Sequence, residues 1–413
     1  MLKALDRKSS KKLETTLRFN EVPPLGVYIH FPFCKRKCHY CDFYSITNLQ
    51  EIPNYINFLL LEIHRRSQSI AEQFSVNKNA INSIFIGGGT PSLINPQNIE
   101  KILSSINKYF VISSDAEITL ECNPAASDAK FFAEYATLGI NRISIGVQSF
   151  IDDELRFLQR LHSAAEARTT IETAKKYFNN ISIDLIFGLP GQTFADIQKS
   201  LSQAIAFELP HISYYALIYE QGTPLHNDLL SGKVLQISDE ESADFYLQIS
   251  SNLRSCGYEH YEISNFARPG FSCRHNIKYW TCSDTLAFGA SAVGMLDGFR
   301  YKNVPDVAKY FTLLNEGNLP DEYCEKLTFD ERLTESIFLS LRSLGLNFQD
   351  FHEQFGIDLS TILNKEIEIL VASNLAEFEN KTLKLTPKGY YICDEITLRL
   401  LKIIEKANVQ NIR

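Results

Sequence analysis

Three cysteines near the N-terminal end of the chain restrict most strongly what this sequence can form. Cys34, Cys38 and Cys41 lie in the stretch YIHFPFCKRKCHYCDF with the spacing C-x3-C-x2-C. Four cysteines close an ordinary cubane iron–sulfur cluster. Here no further cysteine follows nearby, so three thiolates would hold three irons and leave the fourth iron open. A metal centre needs an open coordination position to bind a substrate or cofactor, and we therefore predict a [4Fe–4S] cluster with one accessible iron.

A structural zinc site is the alternative interpretation of the same cysteines, with His39 as the fourth ligand. Zinc ligands usually come as two separated pairs. Because His39 follows Cys38 directly, the spacing favours the cluster.

The composition argues against several classes of protein. With 413 residues, 45% hydrophobic and 22% charged, the chain is long enough for one large α/β domain and a smaller one. The net charge of −8 is unfavourable for binding nucleic acid or an anionic membrane surface. The sequence contains no run of eighteen apolar residues, so it predicts no membrane span.

The cysteine usage and the N-terminal residues predict a cytoplasmic protein. Residues 1–22 are basic and lack the apolar core of a secretion signal, and we expect them to form a flexible tail. The chain has nine cysteines, and the six outside the C-x3-C-x2-C stretch are scattered. This usage suits free thiols in a reducing compartment better than a disulfide framework.

Six short β-branched runs divide residues 23–250. The runs are VYIHF, SIFIGG, EITLEC, RISIGV, ISIDLIFG and ISYYALIY, in chain order. They are almost continuously apolar, as parallel strands covered on both faces are, and the segments between them are long enough for crossover helices. Six strand–helix units are too few for a closed eight-stranded barrel. We predict an α/β fold with a partial (β/α)6 barrel.

The pattern changes after residue 250. Residues 251–304 show few helix signals and many glycine, asparagine and aromatic residues, and we interpret them as a connecting segment. Residues 305–413 read as helices followed by a hairpin in LAEFENKTLKLTPKGYYI, which predicts a winged-helix-like α+β domain. Residues 321–413 contain 11 Lys and Arg against 16 Asp and Glu, a balance of −5, which is unfavourable for binding DNA.

Polar residues stand where the predicted strands end, at the face where such barrels carry their functional groups. The run IGGGTPS follows the second strand, and its glycines allow close contact between backbone and ligand. Glu121 ends the third strand, where it is expected to bind a ligand because a lone buried carboxylate is costly; a salt bridge is the alternative. Gln148 ends the fourth strand and Asp184 lies inside the apolar fifth strand. Arg160 offers a bidentate grip on a carboxylate, or is an ordinary exposed arginine.

Taken together, these stretches resemble a known family. The ordered blocks YIHFPFCKRKCHYCDF, GGGTPS, ECNP, ISIGVQSF, IDLIFGLPGQT, YEISNFA and HNIKYW are similar to those of radical-SAM proteins related to oxygen-independent coproporphyrinogen III oxidase. The similarity is greatest to the branch of heme chaperones, which are HemW-like. The resemblance implies a radical-SAM barrel over residues 23–250 and a HemN-type domain over residues 305–413.

The resemblance also implies roles for individual residues. Cys34, Cys38 and Cys41 would bind the [4Fe–4S] cluster. The amino acid and ribose portions of S-adenosylmethionine would be bound by Gly88, Gly89, Thr90 and Glu121. Tyr28 would be a further contact. Residues that would hold a second S-adenosylmethionine or line the adjoining cavity are Gln148, Arg160 and Asp184.

Two functions remain open within this family. The first is oxidative decarboxylation of coproporphyrinogen III by a radical-SAM enzyme. The second is binding of heme and its delivery to an acceptor protein. The oxidase branch has a cysteine two positions after the third ligand, where this chain has Phe43, and it carries a longer N-terminal segment than the 27 residues that precede Tyr28. Both differences favour the heme chaperone; a radical-SAM enzyme with another substrate is a third alternative.

The HNIKYW block contains the residues expected to bind heme. Imidazole is a common heme ligand and aromatic rings stack on porphyrins, which makes His275, Tyr279 and Trp280 candidates. Cys273 and Cys282 are alternative thiolate ligands. Weaker histidine candidates are His30, His162 and His260. A histidine packed in a domain junction is the structural alternative for His275.

The resemblance finally implies partners. We expect a heme-accepting protein, an electron donor such as flavodoxin or ferredoxin, a peripheral membrane contact during heme delivery, and no nucleic acid. The chain is expected to be a monomer or a dimer.

Overall fold

A computed structural model describes residues 24–73, 80–124 and 129–411 of the chain. The predicted flexible tail, residues 1–22, lies outside the described residues. The strands are β1 Leu25–Phe31, β2 Ala80–Gly88, β3 Val111–Cys122, β4 Arg142–Gln148, β5 Asn180–Phe187, β6 His211–Ala216, β7 Glu259–Glu262, β8 Asn265–Ala267, β9 Thr285–Phe288, β10 Val293–Leu296, β11 Phe299–Asn303, β12 Asp321–Lys326, β13 Leu346–Asn347, β14 Ala376–Glu379 and β15 Thr382–Leu385.

The helices connect these strands along the chain. They are α1 Ile52–Gln73, α2 Pro96–Tyr109, α3 Ala129–Thr137, α4 Asp152–Phe157, α5 Ala164–Ala174, α6 Phe194–Ala206, α7 Pro224–Leu230, α8 Asp239–Ser255, α9 Arg274–Trp280, α10 Val307–Asn315, α11 Phe329–Ser340, α12 Phe348–Phe355, α13 Leu359–Ala372, α14 Pro387–Tyr391 and α15 Cys393–Asn411. In the part of the chain that the structure describes, no helix is both long and apolar enough to cross a membrane.

The six predicted strands form the centre of one open sheet. Strands β1 to β6 are neighbours in chain order and every adjacent pair is parallel. The outward residues of β1, Val27 and Ile29, are fully buried in the same core as Tyr55 and Leu59 of α1. Two-sided burial explains why the strands read as nearly continuous apolar runs. The partial (β/α)6 barrel is therefore confirmed.

The segment 251–304 does more than connect two domains. Strand β9 pairs in parallel with β1, while β8 pairs antiparallel with β6, so the segment extends the sheet on both sides. Strands β10 and β11 continue the sheet to β12, which lies within residues 305–413. The sheet therefore extends beyond the boundaries predicted at residues 250 and 304. The added strands are only three to six residues long, too short to show a clear period in the sequence.

A buried polar network holds these added strands against α1. Glu62 is fully buried and accepts hydrogen bonds from Gly289 N at 2.7 Å, Asn303 Nδ2 at 2.7 Å and Tyr310 OH at 2.7 Å. Arg66, one turn further along α1, donates to Glu62 at 3.1 Å and also pairs with Asn303 and Asp321. The network joins residues more than 200 positions apart, which is why no local pattern predicts it.

The C-terminal residues form the expected α+β module. Strands β13, β15 and β14 make a small separate sheet, and the predicted hairpin is β14–β15. Helices α11, α12 and α13 pack around it with α14 and α15. The module contacts the β7–β8 hairpin of the large sheet, where Ile263 N donates to Arg342 O at 2.9 Å and Ser343 Oγ donates to Tyr261 O at 3.1 Å.

Candidate cluster and cofactor site

The three cysteines lie on a loop that follows β1 and is tied at its base. Cys34 N donates to Ile46 O at 2.9 Å, and Ile46 N donates to Pro32 O at 2.7 Å. The chain between these anchors carries Cys38 and Cys41, where Cys41 N donates to Cys38 O at 3.2 Å. The short spacing therefore places all three thiols at the C-terminal ends of the strands, and all three line one cavity of about 470 Å³.

The glycine run lies directly against this loop. A Cβ on Gly89 would stand 2.7 Å from Phe33 O and 3.0 Å from Cys34 Sγ, so a larger residue would displace the loop. Gly88 has φ +116°, and a Cβ there would meet the His30 ring at 2.7 Å. Because these approaches leave no room for side chains, the GGG run supports the first cysteine and lines the cavity beside it.

The thiols suit a cubane cluster better than a zinc ion. Among the described residues, no three His, Cys, Asp or Glu side chains converge closely enough to hold one metal ion. In a cubane each thiolate binds a different iron, so its ligands stand further apart than those of one zinc ion. His39 is buried with its ring 5.3 Å from the Phe157 ring, in an edge-on contact, and it joins no such ligand set. The donor set therefore fits a cluster held by three cysteines.

Two hydrogen-bond donors point at the thiols. Thr90 Oγ1 donates to Cys34 Sγ at 3.5 Å, and Arg160 Nη1 approaches Cys38 Sγ at 3.7 Å. Burial raises the pKa of Cys34 and of Cys41. A donor and a nearby cation favour the thiolate form, so at Cys34 the hydrogen bond from Thr90 and the charge of Arg160 oppose the effect of burial on the pKa.

Two acidic residues stand deeper in the cavity. Glu121 accepts a hydrogen bond from Gly88 N at 3.0 Å, and Asp184 accepts from Ser144 Oγ at 3.3 Å. Burial, reinforced by the charge of Asp184, raises the pKa of Glu121 to about 8. Burial also raises the pKa of Asp184. A ligand that donates hydrogen bonds from an ammonium or hydroxyl group would therefore stabilise the ionised form of both carboxyl groups.

Gln148 and Arg160 close the opposite wall. Gln148 has φ +67°, a left-handed conformation that non-glycine residues seldom adopt outside functional sites or turns. Arg160 Nη2 donates to Gly146 O at 2.8 Å, so the guanidinium is fixed between β4 and Cys38. The structure thus brings together most of the residues predicted from the sequence. Predicted residues that line the one cavity are Cys34, Cys38, Cys41, Gly88, Gly89, Thr90, Glu121, Gln148, Arg160 and Asp184.

Tyr28 is placed differently from these residues. Its hydroxyl is hydrogen-bonded to His30 Nδ1 at 3.0 Å, and its ring stacks on Phe85 with 6.3 Å between centroids. Phe85 lines the cavity, whereas Tyr28 lies next to it inside the barrel. The role of Tyr28 in binding S-adenosylmethionine stays a prediction.

The residues expected to bind heme are not part of the cavity wall. His275 is buried, with Nδ1 hydrogen-bonded to Ser83 Oγ and Nε2 to Tyr279 OH, both at 3.1 Å. Burial lowers the pKa of His275 to about 3. Tyr279 is 38% exposed and Trp280 is half-buried. The structure therefore leaves no ring nitrogen of His275 free for iron, and heme binding there requires a change at the Tyr279 bond.

The alternative heme ligands are also buried or engaged. His30 and His260 use both ring nitrogens in hydrogen bonds, and burial lowers their pKa to about 4 and about 3. His162 is buried, and its Nδ1 has no hydrogen-bond partner in the part of the chain that the structure describes. Burial raises the pKa of Cys273 to about 12 and of Cys282 to about 11, which opposes a thiolate.

The sequence analysis missed other residues that line the cavity, among them Tyr40, Tyr215 and Arg142. Tyr40 lies between two of the cysteines, Tyr215 is a 39% exposed residue of β6, and Arg142 begins β4. Arg142 had a readable signal, since it is a charged residue with the same parity as Gln148 along the strand. Phe43, used above only to separate two branches, is 68% exposed at the cavity mouth.

Comparison with known families defines the class of protein. The Radical SAM superfamily matches residues 28–204, and the HemN C-terminal domain matches residues 327–392. Together with the partial barrel and the three-cysteine loop, these matches define a radical SAM protein, and such a domain implies a [4Fe–4S] cluster and S-adenosylmethionine.

Relatives over the full length identify the family. The chain is 34% identical over 376 residues to the heme chaperone HemW of Bacillus subtilis, covering 90% of this chain and 97% of the relative. It is 35% identical over 384 residues to that of Haemophilus influenzae, covering 91% and 97%. The chain belongs to the heme chaperone HemW family. In fold it is similar to the coproporphyrinogen III oxidase HemN of Escherichia coli, with a TM-score of 0.76 at 22% identity over 91% of this chain and 90% of that one.

Proposed function

We propose that this protein binds a [4Fe–4S] cluster, S-adenosylmethionine and heme, and passes heme to an acceptor protein. The observation that carries the proposal is the set of three thiols on one cavity in a chain that aligns with HemW chaperones over 90% of its length. A bound cluster with one open iron would supply a coordination position for the amino and carboxylate groups of S-adenosylmethionine.

The residues of the chain have separate parts in this proposal. Cys34, Cys38 and Cys41 hold the cluster, while Thr90 and Arg160 stabilise two of the thiolates by hydrogen bonds. The cavity acids, Glu121 and Asp184, accept hydrogen bonds from the amino and ribose groups of the cofactor, and Gln148 completes the wall above them.

The loop of the cysteines also has the charge expected of a surface that contacts an electron donor. Lys35, Arg36 and Lys37 are all exposed between the first two thiols, on a chain whose net charge is −8. Such a local positive patch favours an acidic partner, as a flavodoxin or ferredoxin would be. The heme acceptor, a cytoplasmic location, contact with a membrane surface during delivery and a monomeric or dimeric state complete the proposal.

The function is tested by a heme titration run beside an anaerobic coproporphyrinogen III assay. We expect near-stoichiometric heme binding by the reconstituted protein and no conversion of coproporphyrinogen III, because the chain aligns with chaperones and carries Phe43 after the cysteines. Decarboxylation in this assay would instead establish an oxidase. Formation of 5′-deoxyadenosine that depends on another added compound would indicate an enzyme with a different substrate.

The heme ligand is tested at the α9 block. We expect His275→Ala to lose the Soret band of the bound heme, with Tyr279 and Trp280 providing the ring contacts. In the structure His275 Nε2 is hydrogen-bonded to Tyr279 OH, so Tyr279→Phe should free Nε2 and keep or tighten heme binding. His211→Ala is a matched control, because His211 is equally buried and its ring nitrogens are likewise hydrogen-bonded to a serine and a tyrosine, Ser182 and Tyr261. A Soret band that His275→Ala leaves unchanged removes His275 as the ligand.

Binding of S-adenosylmethionine should depend on pH through Glu121. Its pKa is raised to about 8 by burial, so at lower pH the free protein carries a neutral carboxyl, which attracts the amino and ribose donors of the cofactor much less than the carboxylate does. Affinity is therefore expected to rise with pH, by up to about tenfold per unit below pH 8, and to level off above it.

Equilibrium dialysis between pH 6.5 and 8.5 measures this dependence. Glu121→Gln should bind more weakly and flatten the profile, whereas Glu172→Gln, an exposed glutamate on α5, should keep the wild-type slope. An unchanged slope in Glu121→Gln would assign the titration to another group, such as the amino group of the cofactor.

A further inference from the structure

The interior of the barrel holds a cation that none of the roles above uses. Residues of β4 alternate between the two faces of the sheet, and Arg142, Ser144, Gly146 and Gln148 all line the cavity. Arg142 begins the strand and Gln148 ends it, so their Cα atoms are about 20 Å apart along the strand. Arg142 therefore defines the end of the cavity away from the cysteines.

Arg142 is buried without the partners that its side chain needs. It is 2% exposed, and within the described residues Nε and Nη1 have no hydrogen-bond partner. Arg66, which is equally buried, shows the normal case, because it donates to Glu62, Asn303 and Asp321. A guanidinium is always charged, and buried donors without acceptors are rare in folded proteins.

The neighbouring acidic groups do not fill this gap. Glu117 and Asp184 lie close enough to act on the charge of Arg142. Glu117, however, accepts from His275 N at 3.3 Å and from Cys273 Sγ at 3.6 Å, and Asp184 accepts from Ser144. These carboxyl groups balance the positive charge of Arg142 electrostatically. Among the described residues, however, they do not accept hydrogen bonds from its Nε and Nη1.

The strands on both sides carry further unpaired atoms at the same level. Arg142 is in register with Thr119 of β3 and with Asn180 of β5. Thr119 Oγ1 and Asn180 Oδ1 are buried, and neither has a hydrogen-bond partner among the described residues. Three adjacent strands thus present unpaired polar atoms in one row, which indicates a missing polar occupant rather than one misplaced side chain.

We propose that Arg142 binds the carboxylate of a ligand that lies in the barrel interior below the cysteine loop. Guanidinium and carboxylate groups form the strongest common hydrogen-bonded pair in proteins, and a cavity of about 470 Å³ is of the size that holds small organic ligands. The proposal rests on the proposed function, because the carboxylates at issue are the heme propionates and that of a second S-adenosylmethionine. The carboxylate of the first S-adenosylmethionine is assigned above to the open iron at the cysteine loop.

The test compares pairs of probes that differ only in the carboxylate. The pairs are heme against heme dimethyl ester, and S-adenosylmethionine against its decarboxylated form, each titrated into wild-type protein and Arg142→Gln. Because a carboxylate contributes to other contacts too, the readout is the coupling between the two changes. For one pair, the preference for the carboxylate form should fall by at least about tenfold in Arg142→Gln.

The outcomes distinguish the sources of the carboxylate. Coupling with the heme pair identifies a propionate, and coupling with the other pair identifies the methionyl carboxylate. If both ligands bind but neither pair shows coupling, this proposal is overturned and the proposed function still stands. The unpaired atoms of Arg142, Thr119 and Asn180 are then assigned to ordered water. A wild-type protein that binds neither ligand overturns both proposals.

Two further variants keep the test decisive. Arg142→Lys repeats the comparison if the glutamine variant does not fold by circular dichroism, because lysine keeps the charge but cannot reproduce the directions of a guanidinium. Arg168→Gln is the matched control. Arg168 of α5 is half-buried, donates to Gln203 Oε1 at 2.5 Å and is not among the residues that line the cavity, so its loss should leave both ligand preferences unchanged.

Discussion

Replacing Cys38 by alanine is expected to abolish the iron–sulfur cluster. The three thiols are the whole cysteine set of this loop, and a cluster already held by three ligands has no spare one to lose. After anaerobic reconstitution with iron and sulfide, the brown absorption and the bound iron should fall by more than roughly tenfold relative to wild type.

Cys256→Ala provides the control for this experiment. Cys256 is a half-buried free cysteine at the end of α8, so its removal should leave iron and sulfide content unchanged. A Cys38→Ala protein that still holds a complete cluster, or a wild-type protein that takes up zinc in preference to iron, would contradict the assignment of the loop.

Replacing Glu62 by alanine is expected to destabilise the protein by about 3–5 kcal/mol, the typical cost of removing one partner of a buried charge pair. The substitution leaves Arg66 without its acceptor on α1 and removes the acceptor of Gly289 N and Tyr310 OH. Urea unfolding followed by circular dichroism measures the change as a lower midpoint at unchanged slope.

An exposed ion pair on another helix serves as the comparison. Glu172 and Lys175 of α5 are 3.9 Å apart and largely solvent-exposed, so Glu172→Ala should change the free energy of unfolding by no more than about 0.5 kcal/mol. Equal effects of the two substitutions would mean that the Glu62 network does not hold β9–β12 to α1.

Much of the candidate site could be predicted because its signals are local. The C-x3-C-x2-C spacing and the glycine run each occupy a few consecutive residues, and Glu121 and Gln148 stand at ends of strands that are themselves readable. Parallel strands bring their C-terminal ends to one edge, so reading six strands was enough to place these residues on one cavity.

The features that the sequence analysis could not give depend on long-range contacts. The ring of His275, a predicted heme ligand, is enclosed because its Nδ1 is hydrogen-bonded to Ser83, nearly 200 residues earlier. Strand β9 has only four residues and no pattern of its own, yet it pairs with β1. Arg142 looks like an ordinary strand residue until its Nε and Nη1 are found without hydrogen-bond partners among the described residues.

The sequence by itself determined the class of this protein, the cysteine loop and the six-stranded barrel, since each depends on residues close together in the chain or on a repeated period. Only the tertiary structure decided that residues 251–326 complete the sheet, that His275 is enclosed, and that Nε and Nη1 of Arg142 have no hydrogen-bond partner among the described residues. Burial and hydrogen-bond satisfaction depend on what surrounds a side chain, and for these residues the surroundings come from segments far away in the sequence.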